Sequence, residues 1–141
     1  SIAESMLDHK ALLEKASNQS MGSRNDAVSM AAADIALKMN EVKAIIAFTE
    51  TGGTPKRIFK YRPRVPIIAC TDNMNTGRRL SFYRGVHVVV ARYIDDLSMC
   101  DVIAKEVSAK VGLKKGDQII ILVGFAEKHG ITNTIRVIEL D

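Results

Sequence analysis

The sequence has no tryptophan, and aromatic residues make up only 5% of its 141 positions. Few side chains can therefore stack on exposed nucleic-acid bases, and the basic residues are spread over several predicted elements. No apolar run is long enough to span a lipid bilayer, and no signal-peptide pattern is present. We therefore expect neither a nucleic-acid partner nor a membrane partner.

Cysteine is also scarce, because Cys70 and Cys100 are the only two and their spacing is not that of a metal site. We expect two buried thiols in a reducing cytoplasm, since disulfides belong mostly to oxidising compartments. His9, His87 and His129 do not form a metal-binding cluster by spacing. A nucleophile–base arrangement and paired carboxylates are missing too, so we predict no catalytic residue and no metal site in this chain.

Charge of one sign does not dominate the chain. Twenty Lys and Arg residues are interspersed with sixteen acids, and the formal net charge of +4 favours anionic partners only weakly. The proportions of hydrophobic and charged residues are typical of a soluble globular protein, and the length suits one domain with a real core. The chain begins at Ser1 instead of methionine, which favours a fragment of a longer protein.

Short apolar strands alternate with helices along the chain. The predicted strands are 44–48, 67–70, 86–91, 118–124 and 134–140, and the predicted helices are 2–16, 26–39, 54–61, 73–83 and 97–111. Strands without polar alternation, separated by helices, indicate a mostly parallel sheet that is covered on both faces. The link 125–133 has no room for a helix, so the last strand should pair antiparallel with the strand before it.

We therefore predict an α/β fold. It is a three-layer sandwich with a five-stranded, mostly parallel sheet, an antiparallel last strand and helices on both faces. Residues 1–141 form a single domain in this prediction, and residues 1–23 are its first helix and a linker.

The loop after the first predicted strand, "TETGGTPKR", has the local design of a phosphate-binding turn. Thr54 suits a helix N-cap and Pro55 suits the first helical position, where its missing N–H costs nothing. Free N–H groups at the helix start can bind an anion together with nearby hydroxyls, and Lys56 and Arg57 add positive charge. The alternative is a capped strand-to-helix turn that binds nothing.

Glu50 lies inside this loop and opposes a phosphate. A carboxylate within several ångströms of a dianionic phosphate would cost about 1 kcal/mol or more in a partly shielded site. Glu50 can instead point into solvent or pair with a neighbouring Lys or Arg. Its orientation therefore decides whether the loop holds an anion.

A second loop, "GFAEKHGITNT", precedes the last predicted strand. Ligands of open α/β sheets gather at the carboxyl edge of the strands, so the two loops are expected to be neighbours. Lys128 and His129 can meet a phosphate there, whereas Glu127 opposes it. The alternative is a polar hairpin loop without a ligand.

Several motifs, in order and across almost the whole chain, resemble the C-terminal domain of pyruvate kinases. They are "GGTPKRIFKYRPRVPIIACT", "YRGV", "LKKGDQIIILVG" and "GITNTIRVIEL". The resemblance implies the same five-stranded α/β sandwich. It also implies a parent enzyme that transfers a phosphoryl group from phosphoenolpyruvate to ADP with magnesium and often potassium, using a separate barrel domain. This chain alone is then expected to be inactive.

In many members of this family the domain binds a sugar bisphosphate or another phosphorylated effector, and it helps to build a tetramer. The resemblance implies a homo-oligomer and an effector site in the two loops. Carried over residue by residue, that site comprises Thr49, Glu50, Thr51, Gly52, Gly53 and Thr54, with Lys128, His129 and Gly130 opposite. Some activated members have a lysine where this chain has Glu50, so we expect fructose 1,6-bisphosphate to bind weakly or not at all.

Two other functions remain open at this stage. One is a free-standing sensor that uses this fold to bind phosphorylated metabolites in another protein context. The other is an enzyme that acts alone, which would have to turn over phosphoenolpyruvate or another phosphate ester.

Overall fold

The computed structural model describes residues 24–49, 53–90, 97–123 and 134–141. Within these ranges the helices are α1 (Arg24–Lys38), α2 (Gly53–Phe59), α3 (Met74–Leu80) and α4 (Leu97–Lys110). The strands are β1 (Val42–Phe48), β2 (Ile67–Thr71), β3 (Val86–Val90), β4 (Gln118–Val123) and β5 (Thr134–Glu139). The expected helix at 2–16 and the linker after it lie outside the described residues.

The five strands form one sheet in the order β3-β2-β1-β4-β5. β1 pairs in parallel with both β2 and β4, β2 pairs in parallel with β3, and β5 runs antiparallel to β4. The predicted fold class, including the antiparallel last strand, is therefore confirmed. The central strand β1 is buried at six of its seven positions, which explains why its sequence shows no polar alternation.

Helices cover both faces of the sheet. On one face, α1, α2 and α3 pack their buried residues Ala32, Ala36, Ile58 and Leu80 against the sheet. On the other face, α4 packs Cys100, Ala104 and Val107. The small alanines of α1 and α4 allow the helix backbones to lie close to the strands.

The start of β1 is irregular. The strand begins at Val42, two residues before the predicted start, and its register against β4 shifts between Val42 and Ala44. As a result Val42 joins the core under α1–α3, whereas Ala44 joins the core under α4. A regular strand would place residues two apart on the same face, so the irregularity redirects one of them. Lys43 between them is exposed, and its Nζ donates to the Asn40 carbonyl at 3.1 Å.

Helix α3 begins and packs for local reasons. The Oδ1 atom of Asn73 accepts a hydrogen bond from the Thr76 N–H at 3.1 Å and caps the helix. Gly77 faces β3, where a Cβ atom would lie 3.2 Å from Cγ1 of Val88. Glycine at this position therefore lets α3 lie against the sheet edge without a clash.

Cys70 and Cys100 are both buried free thiols in the core under α4, as the sequence predicted. Burial raises the pKa of the Cys70 thiol from 9.0 to about 12, and the neighbouring Cys100 adds to the shift. A thiol with such a pKa stays protonated and unreactive near neutral pH, because the thiolate is the reactive form.

This pKa predicts how stability depends on pH. The protonated thiol contributes its full stabilisation below pH 9, and that contribution is lost as the pH rises from 9 towards 12. The limiting slope is about 1.4 kcal/mol per pH unit. Urea denaturation between pH 8 and 11 measures the free energy of unfolding. This free energy should fall more steeply with pH for the native chain than for Cys70→Ala, which lacks the titrating thiol. Parallel pH profiles for the two chains would contradict the prediction.

Candidate functional site

The strand order of the sheet reverses direction at β1. From β1 the chain proceeds to β2 and β3 on one side, whereas β4 lies on the other side of β1. Such a reversal of strand order is the point at which open α/β sheets bind ligands. Ala47 of β1 lies beside Leu122 of β4, so the described ends of the two predicted loops are neighbours.

The first loop leaves β1 at Thr49, whose N–H donates to the Cys70 carbonyl at 2.9 Å. Helix α2 then begins at Gly53, one residue before the predicted cap at Thr54. Thr54 and Pro55 therefore lie inside the first turn, where they are buried and where proline's missing N–H still costs nothing. The other predicted residues of this loop, Glu50, Thr51 and Gly52, lie outside the described residues.

Arg57 reaches back from α2 to the start of its own helix. It lies one turn after Gly53, and a Cβ atom at Gly53 would come within 3.0 Å of its Nη1 atom. Glycine at this position therefore makes room for the guanidinium group. The Nε atom lies 3.7 Å from Oδ1 of Asp26 in α1, so one side of the group is balanced by a carboxylate.

The Nη1 atom of Arg57 is buried and has no hydrogen-bond partner among the described residues. A buried donor without a partner costs about 1–3 kcal/mol, and more when the group is charged. An anion at the start of α2 would supply the missing acceptor. Sequence reasoning noted Arg57 only as a nearby charge, and the i, i+4 spacing from Gly53 is the signal that points to it.

Lys56, the other basic residue of α2 expected to add charge, has a different environment. It is exposed, and its Nζ atom lies 5.9 Å from the centre of the Tyr83 ring. This cation–π contact directs the ammonium group towards the segment between α3 and β3. Of these two adjacent basic residues, Arg57 is therefore the one that lies beside Gly53.

The second predicted loop contains Lys128, His129 and Gly130, which lie outside the described residues. The hairpin that bears this loop is described, with Val123 paired to Thr134 where β4 ends and β5 begins. Arg136 of β5 holds the hairpin to α4, because its Nε and Nη2 atoms donate to the two carboxylate oxygens of Asp101 at 3.2 and 2.7 Å. Such a bidentate pair fixes the orientation of both side chains.

Other kinds of site find little support in the described ranges. No group of His, Cys, Asp or Glu residues there could hold a metal ion, and His87 is exposed on β3. None of the helices in these ranges is long and apolar enough to cross a membrane. Among the described residues at the switch point, the feature that is suited to a ligand is the buried guanidinium group of Arg57 beside Gly53.

The fold and the site define an α/β three-layer domain whose candidate ligand site lies at the switch point of its sheet. The family model described as "Pyruvate kinase, alpha/beta domain" matches residues 26–138. The chain belongs to the pyruvate kinase family and represents its C-terminal α/β domain.

Curated relatives agree with this assignment along nearly the whole chain. Pyruvate kinase of Geobacillus stearothermophilus is 33% identical over 136 residues, which cover 95% of this chain and 23% of the relative. Pyruvate kinase of Agrobacterium vitis is 34% identical over 133 residues, which cover 93% of this chain and 28% of the relative. Pyruvate kinase of Staphylococcus aureus strain COL is 36% identical over 138 residues, which cover 96% of this chain and 23% of the relative. The chain thus spans about a quarter of the length of these relatives.

Proposed function

We propose that this chain is the regulatory and oligomerisation domain of a pyruvate kinase. In this proposal the parent enzyme transfers a phosphoryl group from phosphoenolpyruvate to ADP. Catalysis takes place in a separate barrel domain, which uses magnesium and potassium and is not part of this chain. The family match and the coverage of about a quarter of each relative support this division of labour. The two buried free thiols are compatible with a reducing cytoplasm.

The proposed regulatory ligand is a small phosphorylated metabolite, bound by the loop 49–54 and closed over by residues 128–130. One observation carries this proposal: the buried Nη1 atom of Arg57 lies beside Gly53 at the switch point of the sheet and lacks an acceptor among the described residues. A phosphate oxygen is a suitable acceptor, since guanidinium–phosphate hydrogen bonds are among the strong ones in proteins. Glu50 lowers the affinity in this account, because it adds a carboxylate to the same loop.

The proposed oligomer would use an open edge of the sheet. Strands β3 and β5 are the two ends of the described sheet, and an edge strand offers unpaired backbone groups to another copy of the chain. Val90 on β3 and Val137 on β5 are exposed apolar residues that a partner could cover. Sedimentation velocity at tens of micromolar chain should reveal a dimer or a larger species, and a monomer at every concentration would argue against this part of the proposal.

Calorimetry against a panel of phosphorylated metabolites in low salt tests the regulatory function. We expect saturable binding of at least one member, weak or no binding of fructose 1,6-bisphosphate, and no turnover of phosphoenolpyruvate with ADP by this chain. No binding of any member would contradict the effector role. Measurable turnover would contradict the assignment of catalysis to another domain.

A further inference from the structure

A concave site lies at the amino edge of the sheet, near the start of β2 and β3, opposite the loop 49–54. It encloses about 560 Å³ between the segment that follows α2 and the segment that precedes β3. Its lining includes Phe59, Arg62, Arg64, Val65, Pro66 and Arg84. We call this site the arginine pocket.

The described residues that line the arginine pocket carry positive charge only. Three of them are arginines and none is acidic. One donor of the Arg64 guanidinium group is already used, because its Nη2 atom donates to the Leu37 carbonyl at the end of α1 at 2.8 Å. Arg62 and Arg84 are exposed, and neither forms an ion pair with any residue in the described ranges.

The backbone at Arg62 is unusual. Its φ of 46° lies in the left-handed region, and its N–H donates to the Phe59 carbonyl at 3.0 Å to close the end of α2. Glycine is the residue that normally takes this conformation at a helix end, since other L-residues are strained there. Pro63 follows and disfavours the right-handed helical conformation for Arg62. The chain thus has an arginine in the lining of the pocket at a position whose backbone glycine would adopt more easily.

We propose that the arginine pocket binds a small organic anion with an oxyanion head, phosphate or carboxylate, on an apolar ring. Guanidinium groups bind both kinds of head through paired hydrogen bonds. The ring would lie against Phe59, Val65 and Pro66, which supply the apolar part of the lining. The volume falls within the range of sites for small organic molecules.

This site is distinct from the loop 49–54. Strand β2 has five residues, and Ile67 at its amino end lines the pocket. Thr49, at the described start of the loop, instead follows the carboxyl end of β1 and donates to Cys70 near the carboxyl end of β2. At about 3.3 Å per residue, the two edges of the sheet are about 16 Å apart along β2. Binding at one site is therefore separable from binding at the other by substitution.

Fluorescence anisotropy of 1-naphthyl phosphate and of 1-naphthoate, each titrated with the chain, tests the proposal. The absence of tryptophan from the sequence allows the naphthalene ring to be excited with little protein background. We expect saturable binding of at least one probe, and the tighter of the two identifies the preferred head. Arg62→Gly and Arg84→Gln should each weaken that binding about tenfold or more, because each removes charge-assisted hydrogen bonds.

Arg78→Gln is the matched control, because Arg78 is an exposed arginine of α3 that does not line the pocket. It should leave the affinity unchanged. Glycine adopts the left-handed backbone conformation easily, so Arg62→Gly should not lower the melting temperature. A loss of probe binding in this variant would then reflect the missing guanidinium group and not unfolding. The proposal is overturned if neither probe binds, if both pocket variants bind like the native chain, or if Arg78→Gln weakens binding as much as they do.

Discussion

Replacing Arg57 by glutamine should weaken phosphate binding at the loop 49–54 by about tenfold or more. The Nη1 atom beside Gly53 lacks an acceptor among the described residues, so a bound phosphate would gain a charge-assisted hydrogen bond from it. Bonds of this kind contribute about 1.5–3 kcal/mol, which corresponds to about one to two orders of magnitude in Kd. The substitution is best made in a Glu50→Lys background, where we expect fructose 1,6-bisphosphate to bind tightly enough for calorimetry.

Lys60→Gln in the same background is the control for this experiment. Lys60 and Arg57 both form ion pairs with Asp26, at 3.5 and 3.7 Å. Lys60, however, follows the end of α2 and is not among the atoms nearest to a Cβ at Gly53, all of which belong to Arg57. A general loss of charge, or a loss of the contact with Asp26, would affect both variants alike. Equal affinities for the two variants would therefore refute a specific role for Arg57.

Replacing Ile46 by alanine should lower the free energy of unfolding by about 2–5 kcal/mol. Ile46 is fully buried in the middle of β1, next to Ile68 of β2 and Ile121 of β4. Its side chain belongs to the core between the sheet and α4, so truncation leaves a cavity that a closely packed interior fills only in part. Urea denaturation followed by far-UV circular dichroism measures the loss.

Val102→Ala provides the comparison for Ile46→Ala. Val102 is also β-branched, but it lies on α4 with 56% of its surface exposed. Its truncation should change the free energy of unfolding by no more than about 0.5 kcal/mol. If the two substitutions destabilised the chain equally, Ile46 would not lie in the core, and the central position of β1 would be wrong.

The strand order could be inferred in part from the sequence, because the central strands are continuous apolar runs. Burial on both faces requires such runs, and β1, β2 and β4 are apolar at nearly every position. The direction of β5 followed from chain length alone, since 125–133 is too short for a crossover helix. The irregular start of β1 could not be inferred, because a single shifted register leaves no periodic signal in so short a strand.

The candidate site was predictable as a loop but not as an arrangement of side chains. Glycines and threonines after an apolar strand indicate a turn that is suited to an anion. Sequence cannot tell which of two adjacent basic residues turns back to the helix start, because that depends on the partners available to each. Here Asp26 lies next to Arg57, and Tyr83 lies under Lys56.

The arginine pocket depends on a conformation that the sequence disfavours. An arginine in the left-handed region is uncommon, and nothing in "KYRPRV" requires it before the tertiary fold is known. The chain passes from the end of α2 to the start of β2 within a few residues. Arg62 makes this turn possible by adopting the left-handed conformation. The proposed role of Arg62 in binding an anion therefore rests on the residues that surround it in the fold, and not on the sequence "KYRPRV".

The most direct test of a phosphate site at the switch point is a nuclear magnetic resonance titration. Fructose 1,6-bisphosphate, added in low salt to the ¹⁵N-labelled Glu50→Lys chain, should give saturable shifts of the amide signals of Thr49, Gly53 and Thr54. The native chain should show smaller shifts of the same signals or none. Amides at the opposite edge that do not line the arginine pocket, such as Gly112 and Gly116, should remain in place. Shifts confined to that opposite edge, or no shifts in either chain at millimolar ligand, would contradict the account.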